Sequence, residues 1–193
     1  EGMVIHTHNA RVINARRTVV ELILSDHPAE CLTCAKSGRC ELQKLAQDLG
    51  IREVNYKGEQ SKYRKDMSPS IIRDIDKCIM CRRCENICNE LQSVGALSGV
   101  NRGFMAVVAT AFEQDIVDSA CVMCGQCVQV CPTGALTEVD DTRNVINAIN
   151  NPSKTVIVQT APAVRVALGE EFGMEPGTLV TGKLAAALRR LGF

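Results

Sequence analysis

The sequence predicts an α+β fold in which short helices and strands are strung between cysteine-rich loops. Three observations point there. Cys78, Cys81, Cys84 and Cys88 are spaced C-x2-C-x2-C-x3-C, and Cys121, Cys124, Cys127 and Cys131 repeat that spacing 43 residues on. The other three of the eleven cysteines, Cys31, Cys34 and Cys40, follow His27 in an H-x3-C-x2-C-x5-C group. After Cys131 cysteine stops, and the pattern becomes that of a β-α-α unit.

Each element follows from a local signal. Residues 2–7 read as a short strand. Apolar residues at Val12, Ile13, Val19, Val20, Ile23 and Leu24 recur at helical spacing over residues 11–24. His27-Pro28 ends that helix, because proline disfavours the α conformation in the residue before it. A second helix spans residues 41–49, with Gly50 at the C-terminal cap. Residues 55–70 are polar and read as a connecting loop. A strand-like stretch, residues 104–110, lies between the two cysteine runs. A helix over residues 142–149, N-capped at Asp141, is followed by the turn Asn150-Asn151-Pro152-Ser153. Residues 155–159 look like a buried strand. Pro162 opens a helix running to Phe172, and glycines punctuate at Gly173 and Gly177. The last helix, residues 182–191, carries Arg189 and Arg190 at its end, where cations favour the dipole.

Composition narrows the class. Hydrophobic residues make up 46% of the 193, so a core is available, yet aromatics are 3% and tryptophan is absent. Metal groups are expected to replace part of the usual aromatic filling. Lys plus Arg and Asp plus Glu are 22 each, which gives no global field for nucleic acid. No membrane span is expected, since no apolar run approaches roughly 18 residues. An odd number of cysteines at ligand spacing argues against a secreted disulfide framework. Without an export signal, a reducing cytoplasm is the expected location. Glu1-Gly2-Met3 carries no initiator methionine and reads as the middle of a longer chain.

The repeated spacing is that of bacterial two-cluster ferredoxins, in which three cysteines of one run and the fourth of the other hold each 4Fe–4S cubane. Three thiolates two residues apart on a tight loop can face one cubane. The fourth, about one helical turn further (roughly 6 Å), faces a neighbour. Cys78, Cys81, Cys84 and Cys131 are therefore expected on one cluster, and Cys121, Cys124, Cys127 and Cys88 on the other. Zinc is the alternative occupant, but zinc motifs rarely place three thiolates in a C-x2-C-x2-C run. Pro132 supplies the C-P ending of the second run, whereas Asn89 follows Cys88, so the first run is expected to leave its cluster by a different backbone path. Arg82 and Arg83 lie within the first run where the second has Gly125 and Gln126. Their charge is expected to make the cluster on Cys78, Cys81 and Cys84 the easier one to reduce. Cys31, Cys34 and Cys40 leave a cubane one ligand short, and His27 completes the set; a zinc site of the same four ligands is the alternative. His6 and His8 have no such company.

H-x3-C-x2-C-x5-C followed by two C-x2-C-x2-C-x3-C runs resembles the electron-input arm shared by three families. These are iron-only (FeFe) hydrogenases, the large subunit of respiratory complex I, and cytoplasmic NAD(P)-linked formate dehydrogenases. The tail resembles the opening of the hydrogenase catalytic domain through Thr155-Val-Ile-Val-Gln-Thr-Ala-Pro-Ala-Val-Arg165, Gly169-Glu-Glu-Phe-Gly173, Thr181-Gly-Lys-Leu and Leu188-Arg-Arg-Leu-Gly-Phe193. The resemblance implies four parts. Residues 1–9 would be the last strand of a preceding 2Fe–2S ferredoxin domain. Residues 10–66 would be a histidine-ligated 4Fe–4S module, residues 67–150 a two-cluster ferredoxin-like domain, and residues 151–193 the start of the α/β domain that holds the H-cluster. It implies a hydrogenase, 2H⁺ + 2e⁻ ⇌ H2, of the multimeric NAD(P)-linked or electron-bifurcating type. Its electrons would be exchanged with flavin- and iron–sulfur-bearing diaphorase-type subunits, ferredoxin and NAD(P)H. Ala161 and Pro162 would line the H-cluster, and Ala163 stands where simpler members carry serine. The family's H-cluster cysteines have no counterpart after Cys131, so no catalytic residue is expected within these residues. The alternatives are the input arm of a formate dehydrogenase and a non-catalytic complex I-like subunit.

Overall fold

The computed structural model describes residues 2–193, and the chain divides into two compact units, one up to Val139 and one from Asp140. In the first unit, helix α1 spans Ala10–Asp26. Asn9 caps it by accepting a hydrogen bond from the Val12 N–H. At His27 the backbone turns extended (φ −85°, ψ 135°), as the following Pro28 requires. Helix α2, Glu41–Asp48, packs on α1. Gly50 closes it at φ +63° and accepts from the Arg17 guanidinium. Residues 2–7, expected as a strand, form none. A strand needs a hydrogen-bonded neighbour, and none pairs with this segment among the described residues.

The polar stretch after α2 folds back over the end of α1. Ser61 donates its backbone N–H to Asp26, and Gly58 lies against the Ser25 carbonyl. The stretch is not loop throughout, because its end forms strand β1, Asp66–Met67, paired antiparallel with β2, Ile71–Arg73. Polar composition concealed this edge strand. Asp66 is buried there, and it is held by its cross-strand partner Arg73 at 3.2 Å and by the Ile116 N–H at 2.8 Å.

The first cysteine run continues into α3, Arg83–Asn86, and then a π turn, Ile87–Leu91. Strands β3, Ser98–Val100, and β4, Val107–Ala109, form a hairpin, so the strand expected over 104–110 is shorter and is preceded by a 3₁₀ turn, Gly103–Met105. The second run enters α4, Gln126–Val130, which stops at an extended Cys131 before Pro132. The two runs do leave by different paths, since proline cannot continue a helix and Asn89 can. Strand β5, Leu136–Glu138, completes the sheet β1-β2-β5. The core contains Ile71, Leu97, Val108, Ile116 and Leu136 together with Cys84, Cys127 and Cys131.

In the second unit, α5 spans Thr142–Ile149, α6 Pro162–Glu171 and α7 Thr181–Leu191. Asp141 occupies the N-cap position of α5, but its side chain makes no cap bond; Asp140 accepts from the Thr142 N–H instead. Residues 155–159 form no strand, and Ile157 is 89% exposed, so the expected buried strand is not formed. An apolar run supplies the face of a strand but not its ladder. No helix among the described residues is long and apolar enough to cross a membrane.

A methyl group at Gly58 would lie 2.4 Å from the Ser25 carbonyl oxygen and 2.9 Å from the Asp26 nitrogen, backbone atoms that cannot turn aside. Gly58→Ala is expected to destabilise the α1–α2 module by about 1–3 kcal/mol. Hydrogen exchange at the C-terminal turn of α1 would register this as faster exchange, and unchanged protection there would contradict the packing.

Candidate iron–sulfur sites

Helix ends and tight loops bring the cysteines around three cavities. The first is lined by His27, Cys31, Cys34 and Cys40, together with Lys77 and Gly134. His27 sits at the C-cap of α1 and Cys40 at the N-cap of α2, so the two helix ends aim both side chains at one place. The His27 Nδ1 is buried and has no hydrogen-bond partner. Burial, with the Lys77 charge second, holds this imidazole below its usual pKa and keeps it neutral, the form that offers a lone pair to a metal. Gly134 belongs to the same cradle, because a Cβ there would come within 2.6 Å of the Cys34 Sγ and 3.3 Å of the Lys77 stem.

The lining of the second cavity includes Cys78, Cys81, Cys84 and Cys131. The lining of the third includes Cys88, Cys121, Cys124 and Cys127. Each therefore takes three cysteines from one run and the fourth from the other. The two loops repeat in detail. Met80 and Met123 both adopt φ +54°, and their N–H groups donate to the Cys78 and Cys121 sulfurs at 3.4 Å in each case. Two residues on, Arg82 (φ +60°) and Gly125 (φ +76°) occupy the same left-handed N-cap position. Only glycine reaches that conformation without a steric penalty, so the first loop holds Arg82 at some cost. Leu97 lines both the second and the third cavity, and so forms a shared apolar wall.

The donor sets suit soft iron–sulfide groups, for which thiolate is the preferred ligand and imidazole an accepted one. Among the described residues no three His, Cys, Asp or Glu side chains converge as they would around a single ion; the sulfurs are arranged around cavities instead. The charges differ from expectation. Arg82 forms a two-pronged ion pair with Glu85 at 2.6 and 2.8 Å, and Arg83 does the same with Glu41 at 2.6 and 2.8 Å. Each arginine is offset by a carboxylate, so neither supplies the net cation on which the expected potential difference rested. The Glu41 pair has a different consequence. It fastens α2 to α3, while the Glu41 N–H, donating to the Pro132 carbonyl, fastens α2 to the loop that follows Cys131.

Sequence reasoning missed Gly134, Lys77 and Arg73. The Pro132-Thr133-Gly134 ending was the available signal for Gly134, whereas the contacts of Lys77 and Arg73 are long-range. In the second unit, Ala161 and Pro162 form the start of α6 and are exposed. The broad cavity beside them is lined by Val156, Thr160, Arg165 and Leu188 among others, and not by Ala161 or Pro162.

Three family models match the chain. Residues 16–55 match the NADH-ubiquinone oxidoreductase-G iron-sulfur binding region, and residues 77–135 match a 4Fe-4S dicluster domain. Fold and sites together define an iron–sulfur protein with 4Fe–4S ferredoxin-type domains. Residues 154–193 match the C-terminal domain of the iron only hydrogenase large subunit. The chain is 66% identical over its whole length to NADP-reducing hydrogenase subunit HndD of Solidesulfovibrio fructosivorans. It is also similar to Iron hydrogenase 1 of Clostridium pasteurianum, at 35% identity over the whole chain. It spans 33% and 34% of the lengths of these two relatives. The mitochondrial NADH-ubiquinone oxidoreductase 78 kDa subunit of Candida albicans is 31% identical over 70% of the chain and 19% of its own length. Among solved structures, the crystal structure of an NAD+-reducing [NiFe]-hydrogenase in the H2-reduced state resembles it with a TM-score of 0.63 and 26% identity, over 68% of this chain and 56% of that one.

Burial and neighbouring thiolates push the Cys84 thiol up to about 12 and the Cys127 thiol up to about 11, and burial raises Cys78 as well. In the empty protein these thiols keep their protons at neutral pH, and a metal must displace them. Cluster insertion is therefore expected to release protons and to tighten as pH rises toward that range. A weakly buffered reconstitution followed with a pH indicator measures the release. Loading without proton release, equally strong at pH 7 and pH 9, would contradict it.

Proposed function

We propose that the chain is the electron relay of an iron-only hydrogenase large subunit, with three 4Fe–4S clusters held in its three cavities. His27, Cys31, Cys34 and Cys40 hold the first. Cys78, Cys81, Cys84 and Cys131 hold the second, and Cys121, Cys124, Cys127 and Cys88 hold the third. The observation that carries this reading is the complete use of the donors. All eleven cysteines and His27, whose buried Nδ1 has no hydrogen-bond partner, line these cavities in sets of four.

Bound clusters supply one-electron carriers, and the protein's own residues supply spacing and dryness. Gly134 lets the backbone after Cys131 lie against Cys34, so the first and second cavities share a thin wall. Lys77 lines the first cavity and immediately precedes Cys78 of the second; its carbonyl accepts from Thr133, whose own carbonyl receives the Cys131 thiol. Leu97 separates the second cavity from the third. Side chains in these walls keep water from the spaces between carriers, where solvent reorganisation would slow transfer.

The direction of the relay is read from the tail. Both hydrogenase relatives align over the whole chain, whereas the NADH-ubiquinone oxidoreductase relative aligns over 70% of it. This favours delivery to an H-cluster, 2H⁺ + 2e⁻ ⇌ H2, over the formate dehydrogenase and complex I-like readings. In this reading residues 1–9 follow a 2Fe–2S domain, residues 10–66 and 67–150 form the two cluster domains, and residues 151–193 open the H-cluster domain with Ala161 and Pro162 in its lining. The partners are flavin- and iron–sulfur-bearing subunits, ferredoxin and NAD(P)H, in the cytoplasm.

Anaerobic analysis of the chain is expected to return about twelve irons and twelve acid-labile sulfides. About eight irons with one zinc would contradict the assignment of His27 and its three cysteines. His27→Cys is expected to retain the cluster and lower its potential, since thiolate adds a negative charge where imidazole adds none.

A further inference from the structure

The second and third cavities repeat each other at an offset of 43 residues in their wall residues as well as their cysteines. Ile79 in one matches Val122 in the other, and Arg82 matches Gly125. At one buried position the offset pairs residues of opposite character. Arg73, 4% exposed, lines the second cavity, and Ile116, fully buried, lines the third in its place. None of the residues lining the third cavity is charged. Arg82 also lines the second, but it is largely exposed and paired with Glu85. Arg73 is thus the buried charge that distinguishes the two.

Its partners leave the guanidinium incompletely compensated. Asp66 is 3.2 Å from the Nε, yet that nitrogen makes no hydrogen bond of adequate geometry. One remaining nitrogen donates to the Gln114 carbonyl at 3.1 Å, and the other lies 3.4 Å from the Thr110 hydroxyl. Asp66 does not line the cavity, and its oxygen is also committed to the Ile116 N–H. The pair is therefore a fixed dipole with its positive member in the cavity wall. Away from water such a dipole acts on a neighbouring charge with little screening.

We propose that Arg73 raises the reduction potential of the group held by Cys78, Cys81, Cys84 and Cys131 above that of the group in the third cavity, so that an electron shared between the two rests in the second. The inference rests on the ligand sets proposed above, and it places the asymmetry inside the protein instead of at Arg82 and Arg83. Arg73 is a positioning residue in this account, acting through the field at the cavity and not by ligation.

The test is a dithionite titration, with mediators, of the anaerobically purified chain, following each reduced cluster by electron paramagnetic resonance. Arg73→Gln is expected to lower one cluster's potential by about a tenfold change in its reduction equilibrium, roughly 59 mV for one electron, leaving the other two in place. Asp66→Asn, which keeps an oxygen for the Ile116 N–H while removing the compensating charge, is expected to shift the same signal the opposite way. Arg73→Lys is expected to stay near the original value. Unshifted potentials, equal shifts of every cluster, or shifts of one sign in both charge-removing variants would overturn the proposal. If Arg73→Gln loses iron, Asp66→Asn and Arg73→Lys decide alone, and an unmoved Asp66→Asn potential overturns it. An unaltered chain with fewer than three cluster signals would contradict the ligand sets and not the role of Arg73.

Discussion

The exchange of one cysteine between the two repeats is the constraint on which the rest of the first unit depends. Cys88 and Cys131 each lie one helical turn beyond their own run, and each lines the cavity of the other. Neither run surrounds its cavity alone, so α3 and α4 must pack face to face. That packing places Cys84, Cys127 and Cys131 inside the apolar core, in a chain whose few aromatics leave room there. Without a bound group these buried thiols are desolvated and resist ionisation.

The histidine-containing module is attached to this exchange at the segment that matters most. The chain after Cys131 receives the Glu41 N–H at Pro132 and presses Gly134 on Cys34, while Glu41 also grips Arg83. Three contacts of different kinds meet within a few residues of a cysteine of the second cavity. The spacing of the first and second sites is therefore set by backbone contact and an ion pair, and it does not depend on a flexible linker. The charges are arranged in a related way. Arg82 and Arg83 look like free cations in the sequence and are each matched by a glutamate, whereas Arg73, unremarkable in the sequence, is paired with the buried Asp66 and sits in a cavity wall.

What could be read in advance was what local chemistry determines. Helix α1 stops at Asp26, before His27-Pro28, α2 stops at Asp48, just ahead of Gly50, and α6 begins at Pro162, each within a residue or two of expectation. The grouping of the twelve candidate residues around three cavities follows their spacing, which is a short-range signal; their role as ligands is the proposal made above. Strands were less legible. Residues 2–7 and 155–159 have the composition of strands but no neighbour to pair with, and Asp66–Met67 has the composition of a loop but finds Arg73 across the ladder. Gly134 and Arg73 escaped for the same reason. Their importance lies in contacts with residues distant in sequence, which no local pattern records.

The central claim, that each cluster takes its fourth ligand from the opposite repeat, is tested most directly at Cys131. Serine there retains size and polarity but is a poor ligand for iron, and Mössbauer and electron paramagnetic resonance spectra of the anaerobic chain separate the clusters. Cys131→Ser is expected to alter or lose the cluster on Cys78, Cys81 and Cys84 and to leave the one on Cys121, Cys124 and Cys127 intact. Loss of the latter with retention of the former would show that Cys131 serves its own run, and would contradict the exchange.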